Sequence, residues 1–356
     1  MPHPSTTMKA YVLHGAGDIR LEDVARPAPG PGEVLVAVRA AGICGSDLHY
    51  FAHGRCGNFV PSRPFIPGHE FAGEVVAHGE GAAAPPIGTR VAVDPSRPCG
   101  RCALCREGRY NLCPSMVYLG SAAVTPPKDG CFCELVTVPA ANCHPLPGGF
   151  EPAWGALLEP LSVAMHAALR GGRLAGRSVL ITGGGTIGQM ILLVAVALGA
   201  GTVVVSDPRP FARDFALRHG AAGALDPAAG DIAGPAGEFA PDGFEVAFEA
   251  SGAPPALDQA IRLSARGATL VQVGTLPDGV PIPANALLTR ELDYRGSWRF
   301  ANVFDRVLDL IVAGRIDPRP LVSRVFPFAE LPAALAEAAG GGQIVKVQVA
   351  LPHQPS

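Results

Sequence analysis

Lysine is nearly missing from this chain of 356 residues: of its 28 basic side chains only Lys9, Lys128 and Lys346 are lysines. Aromatic residues are scarce too, at 6%. Neither sign of charge is in excess, with 28 basic against 31 acidic residues and a net charge of −3. Without a basic stripe there is no electrostatic footprint for nucleic acid or an anionic membrane. Long apolar runs are also absent. The longest, Met190 to Leu198, is about half of what a bilayer span needs. Met1 to Thr7 is short, polar and proline-containing and lacks the apolar centre of an export signal, so the expected location is the cytoplasm. What remains is a globular composition, 48% hydrophobic and 17% charged, long enough for two domains with a core each.

Cysteine is where the chain departs from the ordinary. There are nine, an odd number, and four of them form a C-x2-C-x2-C-x7-C run of Cys99, Cys102, Cys105 and Cys113. In a chain expected to stay in a reducing compartment this favours metal over disulfides. Four thiolates so close in sequence can close a tetrahedral shell with no open position, a structural zinc site. An iron–sulfur cluster uses similar spacing. A nucleic-acid zinc finger would need a basic recognition helix, and none follows. Cys56, Cys131, Cys133 and Cys143 have no assigned role beyond that of small core residues.

A second constellation is chemically different. Gly42-Ile43-Cys44-Gly45-Ser46-Asp47-Leu48-His49 is completed 25 residues after Cys44 by Gly68-His69-Glu70. Cys44, His69 and Glu70 offer a thiolate, an imidazole and a carboxylate, a mixed set that suits a zinc ion with one position left open for water or substrate. Ser46 and His49 follow closely enough to handle a proton released at the metal. Strand-like runs at Val34–Val38, Phe71–Ala77 and Arg90–Val93 are broken by proline- and glycine-rich turns, so the region to about residue 150 reads as an irregular β-rich domain with functional loops.

From about residue 154 strands and helices alternate. The buried-strand run Ser178–Thr182 leads into Gly183-Gly184-Gly185-Thr186-Ile187-Gly188 and a helix, and a further strand ends in Asp207, 19 positions after Gly188. A G-x-G-x-x-G element in this setting is the fingerprint of a dinucleotide site, the helix N-terminus stabilising a pyrophosphate and the acidic residue accepting hydrogen bonds from the ribose. Gly183, Gly185, Ile187 and Gly188 are the phosphate-side candidates. Asp207 favours NAD over NADP by repelling a 2′-phosphate, while Arg209 and Arg213 soften that preference. The strand Ala268–Gly274 ends at Val273 and Gly274, where nicotinamide or ribose would rest. The Gly/Ala/Pro-rich stretch 227–241 reads as a surface excursion.

Taken together these residues resemble the zinc-dependent medium-chain dehydrogenases over about residues 8–350. Cys44–Tyr50 with His53-Gly54-Arg55 resembles the polyol branch. Ser96–Gly100 and Gly296-Ser297-Trp298-Arg299-Phe300 resemble its L-idonate 5-dehydrogenase group. The resemblance implies an α/β chain: a GroES-like β-rich catalytic domain (1–153, with the structural zinc lobe at 95–115), a Rossmann domain with a doubly wound parallel sheet (154–294), and a return to the catalytic domain (295–356). It implies two zinc ions per chain, one catalytic and one structural. Cys44 and His69 would be catalytic ligands, with either Glu70 or Glu159 as the third, and Asp47 would orient His69. Lys346 would reach the cofactor pyrophosphate. Tyr50, Arg55, Arg299 and Phe300 would face the substrate. The implied reaction is NAD(P)-dependent oxidation of a secondary alcohol on a polyol or sugar acid, most specifically L-idonate to 5-ketogluconate. The proton would leave through Ser46, the nicotinamide ribose and His49. A sorbitol- or xylitol-type polyol dehydrogenase, an L-threonine 3-dehydrogenase-like enzyme and a non-catalytic nucleotide-binding protein are the alternatives. Homodimers or homotetramers are implied, pairing through the Rossmann sheet edge near Val271–Leu276 and Val280–Pro283.

Overall fold

The structure, a computed structural model, describes residues 6–352. Met1–Ser5, part of the stretch read against an export signal, lie outside the described residues. The chain forms two compact units, one of Met1–Glu159 with Pro318–Ser356 and one of Pro160–Asp317. The first division falls close to that expected at 153/154. The second is a correction: the chain leaves the nucleotide-binding unit at 317, not 294. The strand Asp293–Gly296 hydrogen-bonds to the parallel sheet, and Arg315 beyond it donates to the carbonyl of Ala197 at 2.7 Å, so this segment is spent on completing the second unit.

In the first unit the strand Glu33–Gly42 is central. Its apolar residues Val34, Val36 and Val38 are buried with Phe71, Val75, Val91, Val347 and Val349 in one core. It pairs antiparallel with Glu70–His78, with Leu135–Pro139 and with the C-terminal strand Lys346–Ala350. The register sets Gly42 opposite both Glu70 and Gln348. Two segments far apart in sequence, the residues just after Gly42 and those just before Glu70, therefore emerge side by side at one end of this sheet.

The second unit is a six-stranded parallel sheet. Its strands are β1 (Ser178–Thr182), β2 (Thr202–Ser206), β3 (Gly223–Leu225), β4 (Phe244–Glu249), β5 (Ser264–Gln272) and β6 (Asp293–Gly296). Their spatial order is 3-2-1-4-5-6, the doubly wound order of dinucleotide-binding folds. β1 and β2 are apolar nearly throughout, as strands covered on both faces must be. Two expectations are corrected here. The 227–241 stretch is a surface excursion only in part: much of it is exposed, but Ile232, Ala236 and Ala240 are buried in the same core as Leu180 and Val204. Val271 is not at a sheet edge either, because β6 pairs on the outer side of β5.

Candidate active site

The helix Gly45–His53 begins one residue after Cys44, whose extended backbone makes it the N-cap. The sulfur of Cys44, a ring nitrogen of His69 and a carboxylate oxygen of Glu70 all lie within 4.8 Å of one another. Asp47 explains how two separate loops hold this arrangement. Buried at 2% exposure, it accepts the backbone N–H of Cys44 at 2.9 Å with one oxygen and that of Gly68 at 3.0 Å with the other. The expected role of Asp47 is thus corrected in its means. It holds His69 through the main chain, and the buried Nδ1 of His69 has no hydrogen-bond partner. Gly68 has φ of +90°, and a Cβ there would come within 2.9 Å of the Cys131 sulfur and 2.8 Å of Phe132. Only glycine meets both conditions.

The donor set fits zinc. Burial disfavours a charged His69 ring, yet the negative charge of Cys44, Asp47 and Glu159 outweighs it and pushes the ring up to about 10. A ring nitrogen, a thiol and a carboxylate within 4.8 Å of one another are what a cation would use. Of the two glutamates left open by the sequence, Glu70 belongs to the donor cluster. Glu159 accepts a hydrogen bond from the Tyr118 hydroxyl at 2.6 Å, and its pKa is pushed up to about 7 chiefly by burial. The Tyr118 ring in turn lies edge-on to His69 at 5.6 Å.

Lys346 is a correction. Its Nζ is buried at 3% exposure, donates to Glu70 at 2.7 Å and to the carbonyl of Ile43 at 2.8 Å. It braces the metal-side carboxylate and is not available to a pyrophosphate. Nothing in the sequence marked this pairing except the position of Lys346 in a strand between Val345 and Val347. Tyr50 is a second correction. It is 2% exposed, its hydroxyl accepts the Ala122 N–H at 3.0 Å and its ring meets Phe65 edge-on at 5.3 Å, so it is core and not a pocket wall. Phe300, 1% exposed, is likewise core. Ser46 is half-buried and His49 exposed on the same helix, three residues apart and so neighbours on its surface. Arg55 is exposed. Arg299, over the Trp298 ring at 5.3 Å, belongs to the other unit.

The four-cysteine lobe is assembled as its spacing suggests. The sulfurs of Cys99, Cys102, Cys105 and Cys113 lie within 4.8 Å of one another. Cys102 caps the short helix Ala103–Arg106, which presents Cys105. Backbone N–H groups of Arg101 and Cys102 lower the Cys99 thiol to about 6, while burial and the neighbouring sulfurs push Cys105 up to about 12.

In the second unit, Gly185 is the extended N-cap of the helix Thr186–Ala197, so that the glycine-rich turn joins the end of β1 to the start of that helix. Gly183 sits at φ +98°, and a Cβ on Gly188 would strike the Gly183 carbonyl. Val273 and Gly274 follow directly on β5. Asp207 is engaged more heavily than expected. Its carboxylate accepts Gly184 N–H at 2.8 Å, and from Arg209 the backbone N–H at 2.8 Å and both Nε and Nη2 at 3.0 and 3.1 Å.

Comparison with known proteins agrees with this geometry. Residues 30–148 match the alcohol dehydrogenase GroES-like domain and residues 186–313 the zinc-binding dehydrogenase domain. Sorbitol dehydrogenase of Bacillus subtilis is 38% identical over 93% of this chain and 93% of its own length. The structure superposes on L-idonate 5-dehydrogenase of Escherichia coli with a TM-score of 0.90 at 34% identity, covering 97% of this chain and 98% of that one. It superposes on a Sinorhizobium meliloti dehydrogenase bound to NADP with a TM-score of 0.89 at 37% identity, covering 97% and 100%. A chain that keeps both domains, the metal donors and the nucleotide turn over its whole length belongs to the zinc- and NAD(P)-dependent medium-chain dehydrogenases, in their polyol dehydrogenase branch.

Proposed function

We propose that this enzyme oxidises a secondary alcohol on a polyol or sugar acid, and that L-idonate, converted to 5-ketogluconate, is its substrate. The observation that carries the chemistry is the cluster of Cys44, His69 and Glu70 with Ser46 and His49 on the adjoining helix. Glu70 is read as the third catalytic ligand, with Glu159 behind it on Tyr118. A bound zinc ion would supply Lewis acidity that lowers the pKa of the substrate hydroxyl. NAD(P) supplies the hydride acceptor, so that alcohol and oxidised cofactor yield ketone, reduced cofactor and one proton. Ser46 hands on the alcohol proton and the exposed His49 releases it to solvent. Asp47 and Lys346 keep the donor groups in register throughout. A second zinc ion, held by Cys99, Cys102, Cys105 and Cys113, would be structural.

The L-idonate reading is supported by the likeness to the Escherichia coli enzyme and by the Ser96–Gly100 and Gly296–Phe300 stretches. A neutral polyol is the second reading, favoured by the Bacillus subtilis sorbitol dehydrogenase and by a D-xylulose reductase of Aspergillus clavatus at 34% identity over 96% of the chain. NAD is the preferred cofactor on this reading, because Asp207 is a carboxylate held below its ordinary range: burial opposes ionisation, but Arg209 more than offsets it. Reduced-cofactor formation followed at 340 nm with L-idonate, D-sorbitol, xylitol and L-threonine, each with NAD and NADP, tests the proposal. Selective turnover of L-idonate is expected. Preference for sorbitol or xylitol would discard that substrate and keep the zinc chemistry.

Self-association into dimers or tetramers is also proposed. Its support is the apolar exposure of Ile282 (41%) and Leu288 (74%) in the segment after β5. A monomeric mass by light scattering would overturn it.

A further inference from the structure

Glu249, the last residue of β4, has no part in the chemistry above and is wholly buried. A carboxylate in such a place is costly unless its oxygens are satisfied, and here they are satisfied by the loops themselves. One oxygen accepts the N–H groups of Ser251 and Gly252 at 2.8 and 2.9 Å and the Ser251 hydroxyl. The other accepts the Gln272 amide and a longer contact from Gly252 at 3.2 Å. The Glu249 carbonyl takes the N–H groups of Val273 and Gly274 at 2.8 and 2.9 Å. Gln272 continues the chain, donating to the Gly274 carbonyl at 2.7 Å and accepting from the Tyr294 hydroxyl at 3.0 Å. The segments that follow β4 and β5 are thereby tied together, and both to β6.

The packing leaves no slack. A Cβ on Gly274 would come within 2.8 Å of the Glu249 carboxylate, and one on Gly183 within 2.7 Å of Ser251, so the tied segments abut the phosphate-side turn. In a sheet of order 3-2-1-4-5-6 the two halves of a dinucleotide lie on either side of the switch between β1 and β4. Asp207 and the glycine-rich turn serve the half over β1 to β3. The Glu249 network lies wholly in the other.

We propose that Glu249 is the positioning residue for the nicotinamide half of the cofactor, holding Val273 and Gly274 where that half is received. This rests on the reading of the unit as an NAD(P) site. The test compares wild type, Glu249→Gln and Tyr294→Phe as full-length holoenzymes, titrated with NADH and with ADP-ribose, which lacks the nicotinamide. Glu249→Gln keeps the shape but sets an NH2 group against N–H donors. It should weaken NADH binding roughly tenfold or more while ADP-ribose stays within about twofold, and should raise cofactor KM more than it lowers kcat. Tyr294→Phe removes one hydroxyl at the far end of the network, so it tests the idea even if Glu249→Gln does not fold. It should shift NADH alone, by about two- to fivefold. Equal losses for both ligands, or unchanged NADH binding in both variants, overturn the proposal. If wild type binds neither ligand, it is the cofactor reading itself that falls.

Discussion

Asp207 and Arg209 are joined twice over, once through the Arg209 backbone N–H and once through its guanidinium fork, and the same carboxylate holds Gly184 of the phosphate turn. With about four acceptor sites on a carboxylate, a ribose hydroxyl can enter only by displacing the fork. The Arg209 side chain is then free to turn outward. Asp207→Ala should therefore weaken NAD binding more than NADP binding. Arg209→Ala should weaken NADP binding by about tenfold and leave NAD within a few-fold. Fluorescence titration with NADH and NADPH checks both, and parallel losses in either variant would contradict the assignment.

The same pair predicts a pH dependence. Asp207 is held below its ordinary value, so its folded pKa lies under the unfolded value of about 3.9. Its stabilising contribution is complete above that value and is lost as pH falls through the folded pKa. Urea unfolding between pH 3 and 6 should show a steeper acid loss in wild type than in Asp207→Asn. Superimposable curves would remove Asp207 from the account.

Glu70 and Glu159 should separate under mutation. Glu70→Gln replaces the anionic donor of the cluster with a neutral amide and leaves the buried Lys346 without its counter-charge, so zinc content should fall and turnover with it. Glu159→Gln keeps a group able to accept from Tyr118, and zinc should remain bound. Metal analysis after dialysis decides, and loss of zinc from Glu159→Gln alone would exchange the two roles.

Cys102→Ser should act on stability and not on chemistry. Losing one of four thiolates should release one zinc per chain and lower the thermal midpoint, because a structural zinc contributes directly to folding. An unchanged midpoint would sink the structural assignment.

Tyr50→Phe should cost about 1 kcal/mol, the ordinary worth of one hydrogen bond, and leave substrate KM unchanged. A large KM effect would return Tyr50 to the substrate pocket.

Most of the fold was legible because its signals were local: β1 and β2 are apolar runs whose ends the sequence marks, and the donor residues sit in two short motifs. The misreadings share a cause, which is that side-chain direction depends on phase. Asp47 and Tyr50, three apart, turn to the buried face of their helix, while Ser46 and His49 occupy the neighbouring, more open one. Lys346 points inward because Val345 and Val347 leave it on the side of Glu70. In the 227–241 stretch glycine and proline hid a core pattern that was readable after all: Ile232, Ala236 and Ala240 recur at four-residue intervals. The engagement of Asp207 could not be read, since proximity of an arginine says nothing about where its fork points.

The grip of Asp47 on the main chains of Cys44 and Gly68 has a consequence for how the ion comes and goes. Donors gathered by a carboxylate need not be gathered by the metal, so little ordering accompanies capture. Loading then resembles filling a finished socket: zinc can depart to a chelator and be replaced, by cobalt for instance, with the surrounding scaffold unmoved. In the four-cysteine lobe the sulfurs pack with Tyr110, Met116 and Tyr118, and a metal there would bring together donors from both ends of the Cys99–Cys113 stretch. With zinc in both proposed sites, the ions should leave on different timescales, the catalytic one reversibly and the structural one together with local order.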